Sequence, residues 1–248
     1  MSVIGSNVLA GASAAAAGGG GSDEIEHSLR FNSADSSSLS LSSYSGSGTF
    51  SCWVKRCKFG QAQTIITNVV FAADDTLNGS SAVFRDPSAW MHIVVSTGGT
   101  YVNGVSVGSG SAVTPSAIGV GCDMYLAEIN FIDGSALDAS SFGQTDDNGV
   151  WQNKNTAGLT FGTNGFRLKF ADNSGATATT LGKDSSANSN NWTPNNLSVT
   201  AGSGNDAFVD SPSNGTASTG GDAGGATVGN YATWNPLSIA SATYKQGN

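Results

Sequence analysis

The chain has 248 residues, only 11% of them charged, with ten Lys and Arg against 18 Asp and Glu and an isoelectric point near 4.4. The clustered cations that nucleic-acid binding needs to displace phosphate counterions are missing, so a nucleic-acid partner is not expected. No run of 18 or more apolar residues occurs, so no helical membrane span is expected either.

The opening, MSVIGSNVLAGASAAAAGGGGSDE, has no Lys or Arg after Met1, and Gly5, Ser6 and Asn7 interrupt its apolar run. A secretory signal needs a basic start and an unbroken apolar run. The segment reads instead as an extended arm, with Val3, Ile4, Val8 and Leu9 as its anchoring side chains and residues 14–21 as a flexible Ala/Gly tether. Four such side chains are too few to fold alone, so the arm is expected to gain order by docking on a partner.

The body is expected to begin at residue 27. Residues 27–31 alternate Leu29 and Phe31 with Ser28 and Arg30, and Leu39 and Leu41 repeat at period two in a serine-rich stretch. Residues 49–55 alternate Phe50, Cys52 and Val54 with Ser51, Trp53 and Lys55. Lys55, Arg56 and Lys58 then read as a solvated turn. Residues 63–71 are a continuous apolar-leaning run, expected as one buried strand. The most informative segment is WMHIVVSTGGTYVNGVSV at 90–107. Asn103-Gly104 between β-branched neighbours is a strong hairpin signal, because both residues tolerate the positive φ of a type I′ turn.

Residues 117–120 and 124–132 follow as strands. In the second, strict alternation sets Tyr125, Ala127, Ile129 and Phe131 against Leu126, Glu128, Asn130 and Ile132. Residues 135–142 are the one helical turn, with Asp138 as its N-cap. GFRLKF at 165–170 alternates again and is expected near the first strand. A last strand falls within 188–200, and residues 202–229 are of low complexity. Short strands, turn signals at roughly ten-residue spacing and almost no helix make this an all-β antiparallel sandwich. The expected division is an arm and tether at 1–26, the sandwich at 27–200, and a Gly/Ser/Asn-rich C-terminal extension at 201–248.

Three cysteines are an odd number for a disulfide framework. Cys52 reads as a small core residue, with a Cys52–Cys57 bridge across a tight turn as the alternative. His27 and His92 are too far apart in sequence to show zinc-ligand spacing, and no metal site is assigned. Asp172, Asn173, Asp184 and Asn188 offer hard oxygens that would suit Ca2+, although such residues more often cap turns.

Four ordered motifs carry a family resemblance: Asp133–Leu137 (DGSAL), Asp147–Trp151 (DNGVW), Gly162–Ser174 (GTNGFRLKFADNS) and Asp184–Trp192 (DSSANSNNW). With the hairpin at 90–107, they resemble the laminin-G/concanavalin A-like jelly-roll domains of bacteriophage virion proteins, particularly those of cyanophages. The resemblance covers most of the chain. It implies a concanavalin-like jelly roll in a non-enzymatic virion structural protein, a capsid decoration or a head or tail appendage. Its partners would be capsid, portal or tail components, with self-association, a trimer favoured. The alternative is a receptor-binding tail-fibre module for host surface glycan, with Trp151 and Trp192 as candidate sugar contacts. Glycan-degrading enzymes share this fold and carry Glu-x-Asp-x-x-Glu on a strand. Residues 128–133 mimic that pattern with Asn130 and Asp133 in place of the second and third acids, so no catalytic residue is assigned.

Overall fold

The computed structural model describes residues 24–202, 204–208 and 212. The anchoring candidates Val3, Ile4, Val8 and Leu9, and most of the expected C-terminal extension, lie outside the described residues. The strands in chain order are β1 (Ser28–Phe31), β2 (Ser38–Ser40), β3 (Gly48–Arg56), β4 (Gln63–Ile66), β5 (Val69–Phe71), β6 (Met91–Ser96) and β7 (Gly99–Val102). They continue with β8 (Val105–Gly108), β9 (Met124–Asp133), β10 (Gly143–Thr145), β11 (Trp151–Asn153), β12 (Phe166–Leu168), β13 (Thr193–Asn195) and β14 (Ala207–Phe208). The described helix is a 3-10 turn at Ala139–Ser141, and Asp138 caps it by accepting the Ser140 N–H. The protein is therefore all-β, with antiparallel sheets in a sandwich-like arrangement.

Eight strands make the main sheet, in the order β14-β1-β9-β3-β6-β7-β8, with β12 also paired to β9. β3 runs along one edge of β9, while β1 and β12 share the other edge end to end, at Met124–Leu126 and Ile129–Phe131. The first strand and the GFRLKF strand are thus neighbours through β9, not partners of each other. Two small sheets, β2 with β13 and β4 with β5, supply the facing layer. Leu39, Ile65 and Phe71 from that layer join Phe50, Ile93 and Phe131 in one apolar cluster, all of them completely buried. Each such side chain contributes about 1.5–3 kcal/mol of burial.

The hairpin forms where Asn103-Gly104 marks it, with φ of 47° and 79° and Val102 opposite Val105. Four expectations are corrected. Residues 63–71 are not one strand, because Thr67-Asn68 turns the chain back, with Asn68 at φ 66°. Residues 117–120 make only a single bridge, Ile118 to Leu39. Ala207–Phe208, beyond the expected boundary at 200, pairs with β1. Finally, Lys55 and Arg56 are no solvated turn: both are buried at the end of β3. The Arg56 guanidinium donates to the Asp75 carboxylate at 3.0 Å and to the Phe84 carbonyl at 2.6 Å, and the Lys55 ammonium lies 4.8 Å from the Tyr125 ring centre. None of the three cysteines is in a disulfide; Cys52 and Cys122 are buried and Cys57 is exposed, so the Cys52–Cys57 bridge is absent.

The strict alternation expected in β9 also breaks. Between Ser51–Asn130 and Trp53–Ala127 the β3–β9 register shifts: two residues of β9, Glu128 and Ile129, stand opposite Cys52 alone. Glu128 has φ 45°, and this bulge lets Met124, Leu126, Ile129 and Phe131 all join the core. The polar side chains Glu128 and Asn130 are left to the other side of the sheet.

Candidate functional site

The side of the main sheet away from the apolar core carries the unusual chemistry. Ser51 and Trp53 on β3, His92 on β6, and Asn130 on β9 are all buried there. Trp151, on the β10–β11 hairpin, covers His92 with the rings stacked at 6.0 Å, and its indole N–H donates to His92 Nδ1 at 3.1 Å. That bond leaves the proton on Nε2, which lies 2.8 Å from the Ser51 hydroxyl. Burial pushes the imidazole pKa down to about 3, so His92 is neutral. Further along the same side, Arg167 Nε donates to Glu128 Oε1 at 2.5 Å, and the Thr156 hydroxyl bridges Glu128 and Asn130 at 3.2 and 3.0 Å. These groups are matched to one another and closed off from solvent.

Three of the four motifs, at 133–137, 162–174 and 184–192, meet beyond the end of this network, in loops built from side chain to backbone bonds. Asp133 ends β9; its carboxylate accepts the Ser47 and Asn164 N–H groups and the Asn164 amide at 2.7 Å. Gly162, at φ 74°, packs so closely on Asp133 that a Cβ would stand 2.6 Å from its carbonyl oxygen. Asp184 accepts backbone N–H bonds from Arg167, Ser186 and Asn190. The amide of Asn188 donates to the carbonyls of Gly162 and Gly165. In the loop between β10 and β11, Asp146 accepts the N–H groups of Asn148 and Val150.

Beside these loops lies a shallow cleft of ≈ 200 Å³, lined by Ser42, Ser43, Ser45, Asn164, Asn190 and Asn191 among others. Tyr44, between two of the lining serines, is 38% exposed. Its ring rests 6.0 Å from that of Trp192, and its hydroxyl accepts the Leu41 N–H at 3.2 Å.

The residues singled out from sequence are thus dispersed. Trp192 has no exposed face and packs at 4.7 Å on Phe166, so stacking a sugar at the surface is corrected to a core role. Trp151 is half-buried and engaged with His92. Glu128 and Asp133, the outer members of the glucanase-like pattern, serve different networks: one pairs with Arg167, and the other caps the loop at Asn164. Of the candidate calcium oxygens, Asp184 and Asn188 cap the loop at 162–190, whereas the Asp172 carboxylate binds the Ser174 N–H and hydroxyl. Among the described residues, no three His, Cys, Asp or Glu side chains gather as a metal site. The serine and asparagine lining was not singled out, because such residues read as loop composition. Comparison with protein-family models, curated proteins and solved structures finds no match.

Proposed function

We propose that this chain is a non-enzymatic structural protein of a bacteriophage virion, its body a concanavalin-like jelly roll and its arm the anchor to a capsid, portal or tail component. One observation supports this reading above the rest: Asp133, Asp184, Asn188 and Trp151 of the four motifs are spent on architecture. Asp133, Asp184 and Asn188 tie the loops at 162–165 and 184–191 to the end of β9, and Trp151 closes the hairpin over His92. Motifs used in this way specify a rigid shape for assembly. A receptor-binding role on a tail fibre is the second reading, favoured by the polar cleft alone.

Quantitative mass spectrometry of gradient-purified particles tests the assignment. The chain is expected at a fixed stoichiometry to the major capsid protein, and its absence from particles overturns the reading. Deleting residues 2–13 is expected to leave the body folded yet missing from particles. Normal incorporation of the deletion variant would move the anchor elsewhere, with residues 231–237 the next candidate.

A further inference from the structure

Asparagine is followed by glycine at five places in the chain: 78–79, 103–104, 148–149, 164–165 and 214–215. Such a pair can modify itself. Glycine has no Cβ to block approach, so its backbone nitrogen can attack the asparagine Cγ. The new N–Cγ bond closes a five-membered imide while the Cγ–Nδ2 bond breaks, and Nδ2 leaves as ammonia with the proton from the glycine nitrogen. Water then adds to one of the two imide carbonyls. Opening at one gives aspartate; opening at the other gives isoaspartate, in which the main chain runs through Cβ and gains one carbon. The reaction needs a carboxamide free to turn toward the next nitrogen, and room around that glycine.

Three of the four pairs within the described residues are held. Asn78 Oδ1 accepts the Val70 N–H and its Nδ2 donates to the Asn68 carbonyl, both at 2.9 Å. Asn103 Oδ1 accepts the His92 N–H at 2.8 Å, and Gly104 lies against the Trp151 ring. Asn164 Nδ2 donates to the Asp133 carboxylate at 2.7 Å, and the carbonyls of Phe161 and Phe131 fill the space beside Gly165. Asn148 differs on both counts. It is exposed, and its carboxamide meets the Asp146 carboxylate in the contact that does least to lower that group's pKa. No atom lies within 4 Å of where a Cβ on Gly149 would stand. The turn bond from the Gly149 N–H to the Asp146 carbonyl, at 3.0 Å, must open for the attack, and it sits at the exposed tip of the β10–β11 hairpin.

We infer that Asn148-Gly149 is a site of spontaneous modification, with water as the reagent, and that isoaspartate formed there loosens the β10–β11 lid over His92. Asp146 Oδ1 accepts the Asn148 N–H at 2.9 Å and the Val150 N–H at 2.8 Å, so these two bonds span the residue that gains a carbon. With the main chain lengthened between the two donors, one carboxylate oxygen no longer reaches both. The product also sets a new carboxylate beside Asp146 and Asp147. The next residue, Trp151, pairs with Thr145 and carries the indole that donates to His92, so the strain falls on the lid directly.

The test ages the full chain in mildly alkaline buffer and follows each Asn-Gly pair by peptide mapping with fragment-ion localisation, isoaspartate being scored by enzymatic methyl transfer to its free carboxyl. Conversion at Asn148 is expected to run about tenfold or more ahead of Asn78, Asn103 and Asn164, the scale of one to two net hydrogen bonds. Asn214-Gly215, outside the described residues, is read separately and does not enter that ratio. Asn148→Gln, at an exposed position, would need a six-membered ring; it should keep the thermal midpoint and lose the signal at 148. Aged parent protein should then show faster amide exchange than aged Asn148→Gln across residues 143–153, with β3 equally protected in both. Conversion at Asn148 no faster than at the three held pairs would overturn the site. Conversion with identical exchange at 143–153 in the two aged proteins would overturn its effect on the lid.

Discussion

The two sides of the main sheet bury their side chains by different means. Toward the facing layer, Phe50, Cys52, Val54, Ile93 and Phe131 meet Leu39, Ile65 and Phe71 in a continuous apolar cluster, with the buried Arg56–Asp75 pair at its margin against the Phe71 ring. On the other side, Ser51, His92, Glu128, Asn130 and Arg167 are equally buried but polar, and they are tolerable only because each is bonded to a neighbour. The apolar side forgives exchange of one hydrophobe for another of similar volume, whereas the polar side demands complementary partners at fixed places. Stability on the first side follows amount of buried surface; on the second it follows whether every bond is made.

The sharpest way to break that distinction is to remove one partner of the buried ion pair. Arg167 and Glu128 have side chains only 4% and 3% exposed, and Glu128 sits at the bulge with φ 45°. Arg167→Ala leaves a carboxylate buried without its cation and is expected to destabilise by about 3–5 kcal/mol in urea unfolding. The double variant Arg167→Met/Glu128→Gln should recover most of that loss, because neither residue then carries an uncompensated charge. If Arg167→Ala costs no more than a surface substitution, the polar side is not held by its pairing.

The next test targets the lid over the polar side. Gly104 in the β7–β8 turn has φ 79°, and a Cβ there would stand 2.3 Å from the Trp151 ring. Gly143 meets the same ring, with a Cβ 2.4 Å away. Trp151 therefore sits between two glycines as well as on His92. Gly143→Ala should force the indole outward at a cost of about 1–3 kcal/mol, typical of overpacking. Amide exchange should then quicken across residues 143–153 and leave β1 and β3 protected. Uniform quickening over the whole sheet would show that the lid and the core unfold together.

Much of this architecture is legible in the sequence, and the exceptions have common causes. Alternation of Phe50, Cys52 and Val54 and the Asn103-Gly104 pair mark β3 and the β7–β8 hairpin directly, since period and turn chemistry are local properties. The bulge at Glu128 escapes a period-two reading because one extra residue reverses every later assignment. The split of 63–71 escapes because Thr67-Asn68 is a weaker turn signal than Asn-Gly. Arg56 reads as solvated until Asp75 is brought to it from 19 residues away. The cleft is the least legible part: Ser42, Ser43, Asn190 and Asn191 stand far apart in the chain, and nothing local distinguishes them from ordinary loop residues.

The smallest expected effect isolates one residue of the polar side through pH. His92 is 2% exposed, and burial holds its pKa at about 3, well below the ordinary value of 6.5. The unfolded chain therefore takes up a proton as pH falls through 6.5, whereas the folded chain does not until near 3. Stability contributed by the neutral ring is full above pH 6.5 and declines through the window from 6.5 to 3. Linkage places the loss at about 1 kcal/mol between pH 7 and 5.5. Asp75, held near 2 by Arg85, the Gly60 N–H and Arg56, begins to matter only below about pH 4, outside this interval. His27, half-buried and also lowered, adds a smaller slope of the same sign. His92→Gln keeps polar atoms near Ser51 and Trp151 but cannot titrate, so urea midpoints of this variant at pH 7 and 5.5 should lie closer together than those of the parent chain. An equal pH slope in both proteins would mean that His92 is accessible to protons in the folded state, and that the lid formed by Trp151 does not seal this side of the sheet.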